Sequence, residues 1–215
     1  MSHSDLPKLV VMVSGNGSNL QAILDACACG ELPARVVAVV SNKADAYGLE
    51  RARQAGVPAI VLEKFKDQDR RAYDAQLAEI VAAYQPEWVV LAGWMRILTS
   101  AFLDHFTNRV INLHPALPGT FPGTHAIERA YEAWQRGEID RTGVMVHLVP
   151  DEGVDVGPVL GTRKIIFLPD ESLEKFEGRI HKIEHNLLVE TLKSVLTTKN
   201  TTSYLKGKVH EGKPE

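Results

Sequence analysis

The sequence predicts an α/β protein: a Rossmann-like, mostly parallel twisted sheet with helices on both faces, an antiparallel C-terminal strand pair, then a long C-terminal helix. Three observations predict it. Five short runs rich in Val, Ile and Leu alternate with helical stripes as far as residue 114. The last two apolar runs are parted by only nine residues, "PDEGVDVGP" (150–158). From 170 to 196 the chain carries one continuous amphipathic pattern.

The first five strands are "LVVMVS" (9–14), "RVVAVVS" (35–41), "PAIVL" (58–62), "EWVVLAG" (87–93) and "RVINLH" (109–114). They are unbroken apolar runs rather than alternating ones, as a parallel sheet covered on both faces requires. Leu20, Ile23, Leu24 and Cys27 make one helical stripe between them, and Leu77, Ile80, Val81 and Tyr84 another. "HAIERAYEAWQRG" (125–137) reads as a helix closed by Gly137. "TGVMVHLV" (142–149) and "VLGTRKIIFL" (159–168) are strands too close in sequence for a helical crossover, so they pair antiparallel. In the final helix, 170–196, Glu171 and Glu174 suit the positive N-terminal end. The expected organisation is a single domain, 1–196, with a polar tail, 197–215.

At 215 residues the chain can bury roughly 70% of its unfolded surface, enough for a core without staples. A net charge of −3 argues against nucleic acid as a partner. No run approaches the ~20 apolar residues of a membrane span, and "MSHSDLPK" has no signal core. A cytoplasmic protein, monomer or homodimer, is expected. Cys27 and Cys29 stand two apart in a helical pattern, point to different sides, and read as buried or half-buried thiols in a reducing compartment.

Two stretches carry chemistry. "SGNGSN" (14–19) lies between a strand and a helix, the geometry that aims backbone N–H groups and a positive helix end at an anion. Gly15 and Gly17 permit close approach, and Ser18 and Asn19 add donors. The P-loop and dinucleotide patterns both fit badly: no Lys follows Gly17, Leu20 stands where a third Gly belongs, and no acid ends the second strand. A phosphate monoester is the better ligand; a tight turn with no ligand is the competing reading.

In "VINLHPALPG" (110–119), Asn112 and His114 are two apart in a strand and project together at its carboxyl end, where open α/β sheets bind ligands. Pro115, Pro118 and Pro122 stiffen the exit. An amide beside an imidazole suits a reaction that builds an oxyanion and moves a proton; a strand end satisfied by water and backbone is the alternative. Asp155, between Gly153 and Gly157, is placed to meet the imidazole, with Asp151 and Glu152 as rivals. Asn, His and Asp with no Ser or Cys nucleophile point to direct acyl transfer.

"HKIEH" sets His181 and His185 four apart, a spacing that suits zinc, but Lys182 stands where the metalloprotease pattern has Glu and no third ligand is evident. No metal is expected. Glu184 borders the apolar stripe of Ile180, Ile183 and Leu187, facing either the cleft or solvent. "GWMRIL" (93–98) mixes a cation with apolar groups; core packing accounts for Ile97 and Leu98 more readily than for Arg96.

Five motifs in order, "MVSGNGSNLQAILDA", "SNKADAYGLERARQAGVP", "VVLAGWMRIL", "NLHPALPG" and "DEGVDVGPV", resemble the phosphoribosylglycinamide formyltransferase family from about residue 8 to 196. The resemblance implies 10-formyltetrahydrofolate as donor and glycinamide ribonucleotide as acceptor. It also implies that Gly17, Ser18 and Asn19 hold the ribonucleotide phosphate and that Glu184 contacts the acceptor. Met95, Arg96, Ile97 and Leu98 would line the folate pocket, Arg70 and Asn112 would bind the folate, and Asn112, His114 and Asp155 would form the catalytic trio. Two departures from the bacterial pattern fall in loops: "ALPG" brings a proline one place earlier, at Pro118, and one extra residue lies between His147 and Asp155. A formyltetrahydrofolate hydrolase and a non-enzymatic phosphate-ligand sensor are the alternatives; neither needs both stretches.

Overall fold

The computed structural model describes residues 6–197. Its sheet has seven strands in the order β3-β2-β1-β4-β5-β6-β7. β1 (Lys8–Val13), β2 (Arg35–Ser41), β3 (Ala59–Val61), β4 (Trp88–Leu91) and β5 (Val110–His114) run parallel. β6 (Arg141–Leu148) is antiparallel to β5 as well as to β7 (Val159–Ile166), so the reversal begins one strand earlier than the expected pair. The helices are α1 (Ser18–Ala28), α2 (Tyr47–Gln54), α3 (Arg70–Ala82), the short α4 (Ser100–Leu103), α5 (Ala126–Gln135) and α6 (Leu173–Thr197).

The period-two geometry of β1 divides the core. Leu9, Val11 and Val13 pack with residues of α1, α5 and α6, whereas Val10 and Met12 pack with α3 and α4. Both faces are buried, which explains why the strands read as continuous apolar runs. A side chain such as Leu9 or Met12, fully out of water, contributes about 1.5–3 kcal/mol by transfer alone.

The chain leaves β1 for β2 and β3 on one side, then returns to place β4 and β5 on the other. That reversal leaves a crevice at the carboxyl ends of β1 and β4, the switch point where open α/β sheets bind ligands. "SGNGSN" follows β1, "AGWMRIL" follows β4, and His114 ends β5. Ser14 ties the first two loops together: its hydroxyl donates to Asn42 Oδ1 at 2.6 Å and accepts from the Met95 amide at 2.8 Å. Residues 115–125 form neither helix nor strand, as the prolines require.

Three local expectations need correction. α6 begins at Leu173, after a turn in which Asp170 has φ 58°, so Glu171 lies outside the helix and instead pairs with Arg179 at 2.6 Å. Glu174 does occupy the first turn. Cys29 is exposed, because α1 ends beside it; Cys27 is half-buried, and burial pushes its thiol up to about 11. Thr197 still belongs to α6, and the rest of the expected tail lies outside the described residues.

Candidate active site

The turn after β1 is shaped from behind by α2. Gly17, at the head of α1, has φ 74°, a conformation that favours glycine, and a Cβ there would stand 2.7 Å from the Gly48 backbone. The Gly48 amide donates to the Gly15 carbonyl at 3.0 Å. Arg51 donates to the Asn16 carbonyl at 2.9 Å, to Asn16 Oδ1 at 3.0 Å and to Gln21 Oε1 at 3.1 Å. α1 begins without a side-chain cap, and Asn19 Oδ1 is buried with no partner. A helix start that is rigidly held yet uncapped suits an anion.

A second set of elements encloses a cavity of about 660 Å³. Arg70, Met95, Arg96, Ile97, Leu98, Asn112, His114 and Asp155 line it, residues far apart in sequence brought to one wall. Gly17, Ser18, Asn19 and Glu184 are not among its lining. Met95 and Ile97 are exposed, Leu98 is buried, and the Arg96 guanidinium lies 4.9 Å from the centre of the Tyr73 ring. Exposed apolar side chains gathered at a concave wall mark a ligand surface more than a core. The Arg70 guanidinium donates to the Ile97 carbonyl at 3.0 Å.

Asp155 is the centre of the polar end. Its Oδ2 lies 3.3 Å from His114 Nδ1 and accepts the Gly123 amide at 2.8 Å; its Oδ1 accepts from Asn112 Nδ2 at 3.1 Å. Its φ of 56° is a left-handed conformation that Asp tolerates better than most residues. A Cβ at Gly157 would collide with the Leu148 carbonyl, so a glycine there lets the loop turn back against β6. The rival acids point elsewhere. Asp151 accepts from the Gly153 amide, and Glu152 accepts from the Ser100 amide at 3.1 Å.

Sequence reasoning missed His147. It is fully buried and stands opposite Asn112 in the antiparallel register, with Nε2 3.1 Å from Asn112 Nδ2 and 3.5 Å from Asp155 Oδ1. Its Nδ1 lies 2.8 Å from the Leu148 carbonyl, which only accepts, so Nδ1 donates and Nε2 of the neutral ring is left to accept from the Asn112 amide. The only sequence signal was an imidazole inside an apolar strand; its facing partner depends on register.

Burial pushes the His114 imidazole below its ordinary value, the Asp155 carboxylate and Phe121 carbonyl opposing, and His147 and Arg129 reinforcing the fall. Burial raises the Asp155 carboxyl, yet the facing His147 imidazole, the hydrogen bond from the Gly123 amide and the nearby His114 outweigh it and hold the group below the usual range. Such a site keeps a carboxylate beside an imidazole whose neutral form burial favours, the equipment of acid–base chemistry.

Glu184 is buried on α6, where its Oε2 faces His181 Nδ1 at 2.7 Å. His185 Nε2 is buried without a partner. The two imidazoles are therefore in different surroundings rather than a matched pair. Among the described residues no group of three or more His, Cys, Asp or Glu gathers as metal ligands do, and no helix is long and apolar enough to cross a membrane.

Comparison with known proteins gives one consistent answer. Residues 7–192 match the formyl transferase family. The chain is 46% identical over 204 residues to phosphoribosylglycinamide formyltransferase of Dictyostelium discoideum, covering 89% of this chain and 98% of that protein. It is 45% identical over 177 residues to the enzyme of the same name from Escherichia coli, covering 82% and 81%. Among solved structures, glycinamide ribonucleotide transformylase 1 from Symbiobacterium toebii superimposes with a TM-score of 0.81 at 41% identity, over 87% of this chain and 86% of that one.

Proposed function

The chain belongs to the phosphoribosylglycinamide formyltransferase family, and on that premise we propose that it moves the formyl group of 10-formyltetrahydrofolate to the glycine amine of glycinamide ribonucleotide. One observation carries the mechanism: Asn112, His114 and Asp155 meet at one wall of the cavity that Met95 to Leu98 also line. The folate's pterin lies against the 95–98 wall, and Arg70, half exposed at the rim, meets a carboxylate of its tail. The ribonucleotide phosphate sits on the uncapped start of α1 at Gly17, Ser18 and Asn19, and Glu184 contacts the sugar-glycine portion.

The acceptor amine attacks the formyl carbon directly, forming a tetrahedral oxyanion. Both hydrogens of the Asn112 amide are engaged at rest, by Asp155 Oδ1 and His147 Nε2, so Asn112 exchanges one of them to reach the oxyanion. His114 moves the proton: Nδ1 keeps its proton toward Asp155, Nε2 exchanges the Phe121 carbonyl for the ammonium of the intermediate and accepts from it, Asp155 stabilises the imidazolium, and the departing folate nitrogen takes the proton back. Because Asp155 is already ionised and aligned, no reorganisation accompanies that charge. Residues of this chain supply both the donor and the base, so turnover should survive exhaustive chelation.

The test mixes protein, a 10-formyltetrahydrofolate or its deaza analogue, and glycinamide ribonucleotide, and follows the folate absorbance with and without acceptor. Acceptor-dependent turnover is the expected result. Turnover without acceptor would make the chain a hydrolase, and no turnover with retained ribonucleotide binding would make it a sensor.

A further inference from the structure

Arg129 lies near the start of α5, where a cation opposes the helix field. Its donors go to main-chain carbonyls: Nη2 to Phe121 at 2.8 Å and Pro122 at 2.6 Å, Nε to His125 at 3.3 Å. The guanidinium also stands 5.9 Å from the centre of the Phe121 ring. Phe121 and His125 have φ of 45° and 56°, left-handed values that an aromatic and an imidazole residue adopt only when something holds them.

The held segment is the one on which the catalytic pair rests. The Phe121 carbonyl lies 3.0 Å from His114 Nε2, so one oxygen faces both Arg129 and His114. Two residues on, the Gly123 amide donates to Asp155 Oδ2, the same oxygen that faces His114 Nδ1. The ring of His114 is therefore gripped at both nitrogens by groups whose places depend on residues 121–123. The charged and titratable groups around it are Asp155 from the 150–158 loop, His147 from β6 and Arg129 from α5, with His125 on the same cavity wall.

We propose that Arg129 is a positioning residue of the formyl-transfer centre: it holds the Phe121 carbonyl where that oxygen fixes the ring of His114. The proposal rests on the reaction assigned above. With both ring nitrogens beside acceptors, a neutral imidazole has one proton for two oxygens, and the fixed carbonyl decides how that proton is shared. Loss of the grip releases residues 121–123, lets the ring turn, and blurs the choice of tautomer.

The test compares Arg129→Met and Arg129→Lys with the unaltered protein by steady-state kinetics, thermal unfolding and 15N NMR of the histidine rings without substrate. Arg129→Met is expected to lose about ten- to a hundredfold in kcat, the cost of a small misplacement of a reacting group. Both KM values should stay near normal, and the His114 ring signals should move toward a mixture of tautomers. Arg129→Lys, which keeps the charge but cannot fork between two carbonyls, should fall between. Unchanged His114 signals in a folded variant, or a lowered melting temperature with normal kcat, would overturn the proposal. If Arg129→Met does not fold, Arg129→Lys decides by the same signals. An unaltered protein without transferase activity would refute the reaction, while the substrate-free ring signals would still decide the role of Arg129.

Discussion

Asp155 accepts from Asn112 and from the Gly123 amide while facing both His114 and His147, so a change at this carboxylate reaches all three side chains at once. Asp155→Asn keeps the size and removes the charge. His114 then loses the carboxylate that opposes its burial, and its pKa falls further. We expect kcat to drop ~10²–10⁴-fold, the usual worth of acid–base assistance, with ribonucleotide KM little changed. His114→Ala should cost a similar amount, and the double variant far less than the product, because the two act together. Near-normal kcat in Asp155→Asn, with activity lost in Asp151→Asn, would move the role to the other acid. Gly17→Val tests the other end of the crevice. The new Cβ meets the Gly48 backbone in a left-handed turn, a strain of about 1–3 kcal/mol, and displaces the amides aimed at the phosphate. KM for the ribonucleotide should rise well above that for the folate; equal increases in a folded protein would refute the phosphate assignment.

At the scale of elements, α6 closes one face of the sheet with Phe176, Ile180, Leu187, Leu188, Leu192 and Val195. Phe176 stacks on Phe167 at 4.6 Å and lies 5.7 Å from Tyr131, so α5, α6 and the segment that leaves β7 meet around one ring. Phe176→Ala should cost about 3–5 kcal/mol in urea unfolding, through lost transfer and the cavity left behind. The same helix carries a pH-dependent contact. The hydrogen bond to Glu184 raises the His181 pKa, burial opposing it. A raised histidine contributes stability in full below its unfolded value near 6.5, lost as pH rises through the folded value. The stability difference between the protein and His181→Ala should therefore be larger at pH 6 than at pH 9. A difference independent of pH would show that the charged pair does not act in solution.

For the whole molecule, the site contributes to the acid limb of the stability curve. His114 is held below its unfolded value near 6.5, so the fold prefers its neutral form, and stability declines as pH falls through that value toward the folded one. Asp155 is held below 3.8; its contribution is complete above that value and lost as pH falls through its folded pKa. Urea unfolding from pH 8 to pH 5 should show a shallower decline in His114→Gln than in the unaltered protein. Parallel declines would place the acid sensitivity elsewhere.

What the sequence determined by itself is whatever depends on neighbours along the chain. Continuous Val and Ile runs place β1, β2, β4 and β5 within two residues at most ends, since burial on both faces leaves no room for polar alternation. A nine-residue gap is enough for the antiparallel β6–β7 pair. Asn112 and His114 are legible together because side chains two apart in a strand share a face. Tertiary structure decided what depends on residues that meet only after folding. Three acids lie in the 150–158 loop, and only backbone direction, turned at Asp155 and against Leu148 at Gly157, selects the one that reaches His114. His147 became part of the site through the β5–β6 register, which no local pattern encodes, and Arg51 and Arg129 through carbonyls in other segments. Local propensity and period act over a few residues, whereas a catalytic contact is a distance between loops, set only when the sheet order and register bring their ends together.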